Sequence, residues 1–452
     1  MKNNILLRLF MYLSICVFSI ITIIFIISNY FILALITYII VLFLSNKINI
    51  KKFPIILFFT SLIIRVILIS IINYSAFDDY KVLIDASWKF SKGDYSFSNL
   101  PYFSMWGYQT GIVIYQGIIL KIFNSEFAIK IINCIISSLS VLLVFMMSKK
   151  ITNEKTAKVV SILYMILPIS LIMNTMLNNQ ILSSFLMYSG IFLLIKRDNT
   201  IKDYILAAIL ISLGNIIRPE GIVIVFSFLV FKLILLKKDN ILDTIKKVVV
   251  FLTIYFVIGS TSSVIVQKLN INPIGLKNTN TMWKFVVGFN YDSCGYYSQE
   301  DEKIINNKAL EKQVIIERIK SKNMPKLMVC KIQHFWLFPE DMSKSETLNE
   351  KTFNLFGHIF KYSTIEDIAL KYNNYIYFIT LFMCFIGVIF NRQKIVEDNS
   401  LFFVILLITT FFVYLLIEIN FKYIYFILIS IFILSSYGYD YCIEKIKKNN
   451  IT

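Results

Sequence analysis

Long apolar runs, separated by short lysine-rich segments, recur along almost the whole of this 452-residue chain. A helix needs about twenty apolar residues to cross the hydrocarbon core of a membrane, whereas a membrane-spanning strand alternates in hydrophobicity over about ten residues. The runs in this chain are continuous and long, which predicts helices. Charged residues make up 16% of the chain and hydrophobic residues 57%, against about 25% charged residues in a soluble domain. We therefore predict an all-α polytopic membrane protein.

About twelve transmembrane helices are predicted, with two large polar loops between them. Residues 5–44 are long enough for two helices joined by a turn near residues 28–30. The other predicted spans are 53–72, 128–147, 159–177, 181–195, 204–217, 221–236, 248–266, 375–390, 401–417 and 423–439. The chain then divides into an N-terminal transmembrane region, 1–266, that carries the first loop, 73–123; an extracytoplasmic cap, 267–371; and C-terminal helices with a tail, 372–452.

The distribution of lysine predicts the orientation of the chain in the membrane. Lys and Arg are enriched in short cytoplasmic loops. If both termini are cytoplasmic, the short basic connections, such as Lys149–Lys158 and Lys237–Lys247, fall on the inner side. Both large loops and the turn at residues 178–180 then face outward. This distribution also accounts for the formal charge of +17, so no nucleic-acid partner is predicted. We expect a multi-pass protein of a bacterial cell membrane.

The cysteines and histidines of the chain do not indicate a metal centre. The chain has six cysteines and two histidines, in no metal-ligand spacing, and a Ser-His-Asp triad is improbable on the same count. Cys294 and Cys330 lie in the second outer loop and can form a disulfide if that loop faces an oxidising space. The alternative is that all six are free thiols.

An acidic doublet, Asp78 and Asp79, follows the span that ends near residue 72. Two adjacent carboxylates repel each other, and such a pair suits a general base or a ligand of a divalent cation. The simpler interpretation is that Asp caps the following helix, because residues 81–90 have the pattern of a short amphipathic surface helix. The doublet alone does not decide between the two.

Five further segments accompany the doublet in a recognisable order. The doublet segment itself is "FDDYKVLIDASWKFSKGDY", and the later ones are "YQTGIVIYQGIILKIFNSEFAIKIINCIISSL", "LYMILPISLIMNTMLNNQ", "GNIIRPEGIVIVFSF", "GFNYDSCGYYSQED" and "IEINFKYIYFILIS". Together they resemble the GT-C membrane glycosyltransferases, and most of all the branch, similar to glycosyltransferase family 39, that contains the protein O-mannosyltransferases and the lipid A aminoarabinose transferases. In this comparison Asp78 and Asp79 match the family's acidic pair, with Ala86 and Gly93 at the small residue and the glycine that follow.

The resemblance implies an inverting transfer of a sugar from a polyprenyl-phosphate donor to an acceptor hydroxyl on the outer face of the membrane. The expected partners are that donor, a glycan, lipid or protein acceptor of the cell envelope, and the membrane lipids. Asp78 is the expected base, and Asp79 a supporting ligand or second acid. Arg218, beside the helix-breaking Pro219, is the first choice to bind the donor phosphate. The alternative interpretation is that Arg218 lies at the membrane interface or forms an ion pair with Glu220. Lys422 is the second choice, and its alternative is an interface anchor.

Three other polar residues are expected to support the site: Glu418, Gln180 and Asn290. Glu418 has the alternative of pairing with Lys422. Gln180 belongs to an amide turn where many relatives carry an acid, and an amide cannot act as a base. A divalent metal such as Mg or Mn, if this chain uses one, would be held by Asp78 and Asp79. Whether the chain depends on such a metal stays open if that acid binds metal in the relatives. Arg65, inside an apolar span, is either functional or paired within the bundle.

Two other classes of membrane protein compete with this interpretation. An O-antigen-type polymerase or ligase shares the sugar and membrane context but should carry paired arginines in its large outer loop, where this chain has Arg318 alone. A transporter or flippase of lipid-linked sugars should place ionisable groups near the middle of the membrane, whereas most charges here lie at the ends of the spans. The glycosyltransferase interpretation is therefore preferred.

Overall fold

The structure is a computed structural model that describes residues 5–27, 36–41, 50–72, 76, 78–196, 199–235, 241–337, 352–355, 358–397 and 399–449. The predicted turn near residues 28–30 lies outside these ranges, as do Asn73 at the start of the first predicted loop and residues 338–351 of the second. The description that follows refers to the described residues.

Helices account for most of the described chain, because long runs of apolar residues can satisfy their backbone hydrogen bonds in a membrane only within a helix or a closed barrel. The helices in the membrane-like part and the first loop are α1 Ile5–Ile27, α2 Phe53–Ile71, α3 Asp78–Ser91, α4 Pro101–Met105, α5 Thr110–Phe123, α6 Glu126–Ile151, α7 Glu154–Met165, α8 Pro168–Ile172, α9 Gln180–Leu194, α10 Ile201–Ile217, α11 Gly221–Leu235 and α12 Ile241–Lys268. The later helices are α13 Trp283–Gly288, α14 Lys308–Lys320, α15 Met324–Lys331, α16 Tyr362–Phe390, α17 Arg392–Glu397, α18 Leu401–Leu416 and α19 Ile424–Asn449.

Two short antiparallel strands depart from the predicted all-α fold. They are β1 Thr352–Leu355 and β2 His358–Lys361, with Thr352 opposite Lys361. They form a hairpin immediately before α16, in the second predicted loop. The fold is otherwise helical as predicted.

The count of twelve spans is not confirmed. Five described helices are long and apolar enough to cross a membrane, and a sixth candidate is the pair Glu154–Met165 and Pro168–Thr175, which bends by 58°. The bend lies at the predicted span 159–177 and coincides with Pro168, whose ring cannot fit inside a continuous helix. Four more apolar helices are shorter: Ile5–Ile20, Gln180–Leu194, Gly221–Leu235 and Leu401–Leu416.

Glycine allows two pairs of these helices to approach closely. A Cβ on Gly214 of α10 would lie 3.0 Å from the carbonyl oxygen of Ser183 in α9, and a Cβ on Gly438 of α19 would lie 2.0 Å from that of Met383 in α16. Small residues bring helices into backbone contact in just this way in membranes. The pairs α9–α10 and α16–α19 are accordingly the two most extensive helix contacts of the fold.

Arg65 is fully buried in α2 and belongs to the packing of the bundle. Its guanidinium donates to the hydroxyls of Ser61 at 2.7 Å, Ser137 at 2.9 Å and Ser170 at 3.0 Å. These partners satisfy the charge-bearing group inside the apolar bundle. Of the two alternatives for Arg65, the structure therefore supports a role within the bundle.

The two ends of α19 separate the loops into two groups. Near its C-terminal end, Asp440 accepts hydrogen bonds from Lys394 at 2.7 Å and from Asn153, both in connections predicted to be cytoplasmic. Lys422, in a segment predicted to face outward, lies just before the first residue of α19. The helix rises about 24 Å between Ile424 and Asp440. Lys422 and the two connections that contain Lys394 and Asn153 therefore lie towards opposite ends of α19.

One predicted surface segment is in fact part of the core. The apolar pattern of residues 326–341 predicts a segment that lies on the membrane surface, but Phe335 and Trp336 are fully buried. Phe335 packs on Tyr414 with ring centroids 4.7 Å apart, and Trp336 on Phe411 at 5.3 Å. The surface prediction was wrong for these residues because a linear pattern of apolar side chains does not show whether lipid or another helix covers them. The predicted helix at residues 81–90 is confirmed as α3.

Candidate active site

The acidic doublet and Lys422 come together at one end of the bundle. Both acids lie in the first turn of α3, and the backbone of Asp78 is left-handed with φ of 45°, a conformation that Asp tolerates better than most residues. The Oδ2 atom of Asp79 accepts a hydrogen bond from the Nζ of Lys422 at 3.2 Å. The ammonium also lies 5.1 Å from the ring centroid of Tyr80. Asp78 is exposed, and its carboxylate forms no ion pair within the described part of the chain.

Arg218 lies beside this pair, at the point where α10 ends before Pro219. Its Nε donates to Glu220 Oε1 at 2.6 Å, and its Nη1 donates to the Oδ1 of Asn179 at 3.4 Å. The guanidinium carbon stands 4.6 Å from the ring centroid of Tyr423, the residue after Lys422. The predicted alternative, an ion pair with Glu220, is therefore present, and it exists inside the cluster that contains Asp79 and Lys422.

Glu418 pairs with a lysine that the sequence analysis did not identify. The expected alternative was an ion pair with Lys422, but Glu418 accepts a hydrogen bond from the Nζ of Lys284 in α13. Lys284 also donates to the hydroxyl of Tyr423 at 3.4 Å. The reason is the path of the chain: the backbone N–H of Glu418 donates to the carbonyl of Lys284 at 2.8 Å, which aligns the two side chains.

Lys284 keeps its positive charge in this position. Burial by itself lowers the pKa of Lys284, but the Glu418 carboxylate and the hydroxyls of Tyr423 and Tyr108 together outweigh burial. The pKa of Lys284 is therefore well above its ordinary value. The cluster thus contains three cations, Arg218, Lys284 and Lys422, arranged around Tyr423 and each paired with one carboxylate.

A cavity of about 250 Å³ opens between two of these cations. Arg218, Glu220, Lys284 and Tyr423 contribute its polar wall. The other residues that line it, most of them apolar or aromatic, are Trp106, Tyr108, Pro219, Ile222, Val223, Asn278, Thr281, Thr410, Val413, Tyr414, Ile417 and Phe426. Ligand sites in proteins have this composition, with apolar walls and a few convergent polar groups.

The amide turn contributes to the site only through Asn179. Its Nδ2 donates to Gln109 at 3.2 Å while its Oδ1 accepts from Arg218. Asn178 accepts from the backbone N–H groups of Gln180 and Ile181 and so starts α9. Gln180 is buried, and its side-chain amide is without a hydrogen-bond partner in the described part of the chain. The structure does not bring Gln180 into the lining of the cavity.

Asn290 supports the cap and does not line the cavity. Its Nδ2 donates to Asp301 at 2.9 Å, and Asp301 in turn accepts from Arg318 at 2.6 Å. Arg318 also donates to the carbonyl of Val286 at 2.6 Å. This network connects the motif built on Asn290 to α13, the helix that carries Lys284.

Lys331 holds the segment that leads to Glu418 and Lys422. Its Nζ donates to three backbone carbonyls, those of Gly288 at 2.9 Å, Leu415 at 2.9 Å and Ile417 at 2.7 Å. The last two belong to the end of α18, where carbonyls have no partner within the helix. Burial lowers the pKa of Lys331 to about 7, and Glu418 partly opposes this effect.

Cys294 and Cys330 form a disulfide, with Cα atoms 5.8 Å apart. The bond connects the turn at Gly295 to the end of α15 beside Lys331. The carbonyl of Gly295 accepts a hydrogen bond from the N–H of Ile419 at 2.9 Å. Of the two alternatives for these cysteines, the structure has the paired one. The disulfide therefore braces the same segment as Lys331.

Removal of this disulfide is expected to destabilise the cap. In Cys294→Ser, the two cysteines, which are 36 residues apart, are no longer joined. This substitution should lower the free energy of unfolding by about 2–4 kcal/mol because the unfolded chain regains entropy. Thermal unfolding of the purified protein in detergent measures this loss, with Cys134→Ser as the control for a buried free cysteine. Equal unfolding temperatures for wild type and Cys294→Ser would contradict the expectation.

Of the acidic doublet, Asp78 has a carboxylate without an ion pair among the described residues, whereas Asp79 is paired with Lys422. Among the described residues, the group of three potential ligands with mutually close atoms is Cys294, Cys330 and His334, and its two sulfur atoms are already joined in the disulfide. Asp79 has an ammonium as its neighbour, and the turn at 178–180 offers amides in place of a carboxylate. Mg²⁺ is usually bound by one or two carboxylates together with waters and substrate phosphates, and the carboxylate of Asp78 is the one that the doublet offers to such an ion.

Sequence reasoning missed Lys284, Lys331, Trp106 and Tyr414. Lys284 is flanked by Trp283 and Phe285 in a polar loop, and a lysine within such a short apolar stretch is the one signal that could have indicated it. Lys331, Trp106 and Tyr414 carry no comparable signal, because their roles depend on contacts with distant parts of the chain.

Comparisons with known proteins show which family part of the chain matches and which known structures its fold resembles. Residues 113–265, about a third of the chain, match the family described as dolichyl-phosphate-mannose-protein mannosyltransferase. A search of curated protein sequences gives no match. The fold is similar to that of the Archaeoglobus fulgidus oligosaccharyltransferase in its apo form, with a TM-score of 0.51, 15% identity, and coverage of 89% of this chain and 52% of that one.

A second structure of an archaeal oligosaccharyltransferase from Archaeoglobus fulgidus, in complex with an inhibitory peptide and a dolichol-phosphate, has a TM-score of 0.49 and 13% identity, covering 89% of this chain and 51% of that one. The chain thus spans about half the length of these structures. The family match over part of the chain and the similar fold confirm the resemblance that the motifs predicted.

Proposed function

We propose that this chain transfers a sugar, with inversion, from a polyprenyl-phosphate-linked donor to an acceptor hydroxyl at the outer face of the membrane. The observation that carries the proposal is the cluster around Tyr423. There, Arg218 and Lys284 line a partly apolar cavity, and Lys422 pairs with Asp79 of the acidic doublet. The matched family is described by a dolichyl-phosphate sugar, which supports a lipid-phosphate donor. A cell-envelope glycan, a lipid and a protein are all compatible acceptors.

The cations suit a phosphate that gains charge as the sugar leaves. Arg218 offers a planar set of N–H donors, and Lys284 and Lys422 act as point charges. Each is held in place by an ion pair with a carboxylate. A bound phosphate therefore completes a site that is already charged and oriented, and such preorganised groups lower the barrier to departure of an anionic leaving group.

Asp78 is our proposed general base, and Asp79 holds Lys422 in place. A base needs a free oxygen within reach of the acceptor, and the carboxylate of Asp78 is exposed at the edge of the cluster while Asp79 is occupied by Lys422. In the proposed step, Asp78 takes the proton of the acceptor hydroxyl. The acceptor oxygen attacks the anomeric carbon from the face opposite the phosphate. The bond from that carbon to the phosphate oxygen then breaks, and polyprenyl phosphate leaves.

The arrangement at the two ends of the molecule supports an outward-facing site. The proposed site lies at the end opposite Asp440, where connections rich in lysine meet. Under the positive-inside rule those connections are cytoplasmic, with both termini on that side. The disulfide, which lies at the end of the site, is consistent with an oxidising compartment.

Chelation of divalent metal is expected to leave transfer unchanged. Asp79 is paired with Lys422, whose ammonium already supplies a positive charge at the acidic doublet. Transfer measured with the purified protein before and after treatment with EDTA should therefore agree within about twofold. A large loss that added Mg²⁺ or Mn²⁺ reverses would show that our assignment of the cationic groups is incomplete.

The test of the proposed function compares cell-envelope glycans from the wild type, a deletion strain, and a Lys422→Met strain whose membrane level of the protein is verified. We expect one sugar substituent to disappear in both mutants. Purified wild-type protein given the corresponding polyprenyl-phosphate sugar should release polyprenyl phosphate only when the acceptor is present. The proposal is overturned if the deletion changes no glycan, or if the purified protein moves the donor between leaflets without breaking its glycosidic bond.

A further inference from the structure

Glu220 has one carboxylate oxygen that nothing in the described protein satisfies. Its Oε1 accepts from Arg218 at 2.6 Å and from the hydroxyl of Tyr414 at 3.3 Å. Its Oε2 is shielded from solvent and has no hydrogen-bond partner in the described part of the chain. The residue as a whole is 7% exposed and lines the cavity of the candidate site. An ionised oxygen buried without a partner is costly and rare in folded proteins.

The chemistry of this oxygen defines the ligand group that can meet it. An ionised carboxylate only accepts hydrogen bonds, so the ligand must present a hydrogen-bond donor. A phosphate diester has no proton to donate and is repelled by the carboxylate. Within the same donor molecule, the phosphate therefore belongs with Lys284, Lys422 and the free N–H groups of Arg218, and a sugar hydroxyl belongs with Glu220.

The size of the cavity agrees with this division. At about 250 Å³ it is slightly smaller than the usual range for small-molecule sites, about 300–1,000 Å³. It can accept a sugar ring but not a sugar together with a long isoprenoid chain. We infer that the carboxylate of Glu220 turns when the donor binds, so that Oε2 reaches the cavity and accepts the hydrogen of one ring hydroxyl of the donor sugar. Glu220 is then a specificity-determining residue for a donor that carries a hydroxyl at that position. This inference rests on the proposed function.

The alternative is that Glu220 serves only to neutralise Arg218. Replacement of a hydroxyl by fluorine distinguishes the two roles, because fluorine resembles a hydroxyl in size but cannot donate a hydrogen bond. Wild-type Glu220 should repel a fluorine at the recognised position. In Glu220→Gln, the amide oxygen can still accept from Arg218, while the amide N–H₂ can donate to either a hydroxyl or a fluorine. A residue that only balances charge has no reason to change the preference between the two donors.

The experiment measures kcat/KM of the purified enzyme for the natural donor and for its deoxyfluoro analogues, one ring position at a time. Fluorine also slows the chemical step, but this effect is the same in wild type and variant and cancels in the comparison. We expect the preference for hydroxyl over fluorine to fall tenfold or more in Glu220→Gln at one ring position, and to stay unchanged at the others. Glu311→Gln is the matched control, because Glu311 is also buried with an unpartnered Oε2 but does not line the cavity.

If Glu220→Gln does not fold, Glu220→Asp keeps the charge and withdraws the carboxylate by one methylene, and it should show the same loss of preference. An equal preference in wild type and Glu220→Gln at every ring position would overturn this inference while the proposed function stands. Absence of any sugar transfer by the wild-type enzyme, with every donor, would overturn the proposed function as well.

Discussion

Asp78→Asn is expected to lower kcat for sugar transfer by about 10²–10⁴-fold, the usual contribution of a positioned general base. The substitution preserves size and removes the ability to take a proton, and Asp78 has no ion pair in the described structure that the change would break. The KM for the donor should therefore change little. Steady-state kinetics of the purified variant, together with its thermal unfolding temperature, measure both effects.

Two neighbouring acids provide the controls for this prediction. Asp85 lies in the same helix as Asp78 and pairs with Lys81 on an exposed face, so Asp85→Asn should retain full activity. Asp79→Asn frees Lys422 from its carboxylate and is expected to raise the KM for the donor, because Lys422 loses its orientation. If Asp78→Asn retains wild-type kcat while Asp79→Asn abolishes it, the base is Asp79, and Asp78 serves to begin α3.

Arg218→Met is expected to abolish donor binding and to destabilise the protein as well. Arg218 and Glu220 are each 7% exposed, and removal of one partner of a buried ion pair costs about 3–5 kcal/mol because the other charge is left without compensation. The ring of Tyr423 also loses the guanidinium that lies over it. Thermal unfolding and the binding of a non-reacting donor analogue separate the two consequences.

A double variant tests whether both effects belong to Arg218. In Arg218→Met with Glu220→Leu, the uncompensated carboxylate is gone, and apolar replacement of a buried ion pair is often neutral for stability. The double variant should therefore regain most of the lost unfolding free energy without regaining donor binding. Recovery of donor binding in the double variant would show that the phosphate is held elsewhere, and that Arg218 is only a structural partner of Glu220.

The candidate site shows where sequence reasoning succeeds and where it stops. Asp79, Arg218 and Lys422 were selected as a functional group from separate motifs. The structure brings them together around Tyr423, although Asp79 and Lys422 are 343 positions apart in the sequence. A charged residue at the end of an apolar span is unusual enough to be found from the sequence. The partner of such a residue is not: Glu418 pairs with Lys284 because the backbone of α13 meets the segment after α18.

The sequence by itself determined that the chain is helical and that it belongs in a membrane. The physical reason is that long apolar runs and flanking lysines are local features that a lipid environment selects directly. Only the tertiary structure decided which carboxylate pairs with which cation, which loop residues line the cavity, and that Phe335 and Trp336 pack into the core. Those outcomes depend on contacts between segments far apart in the chain, and no local pattern records them.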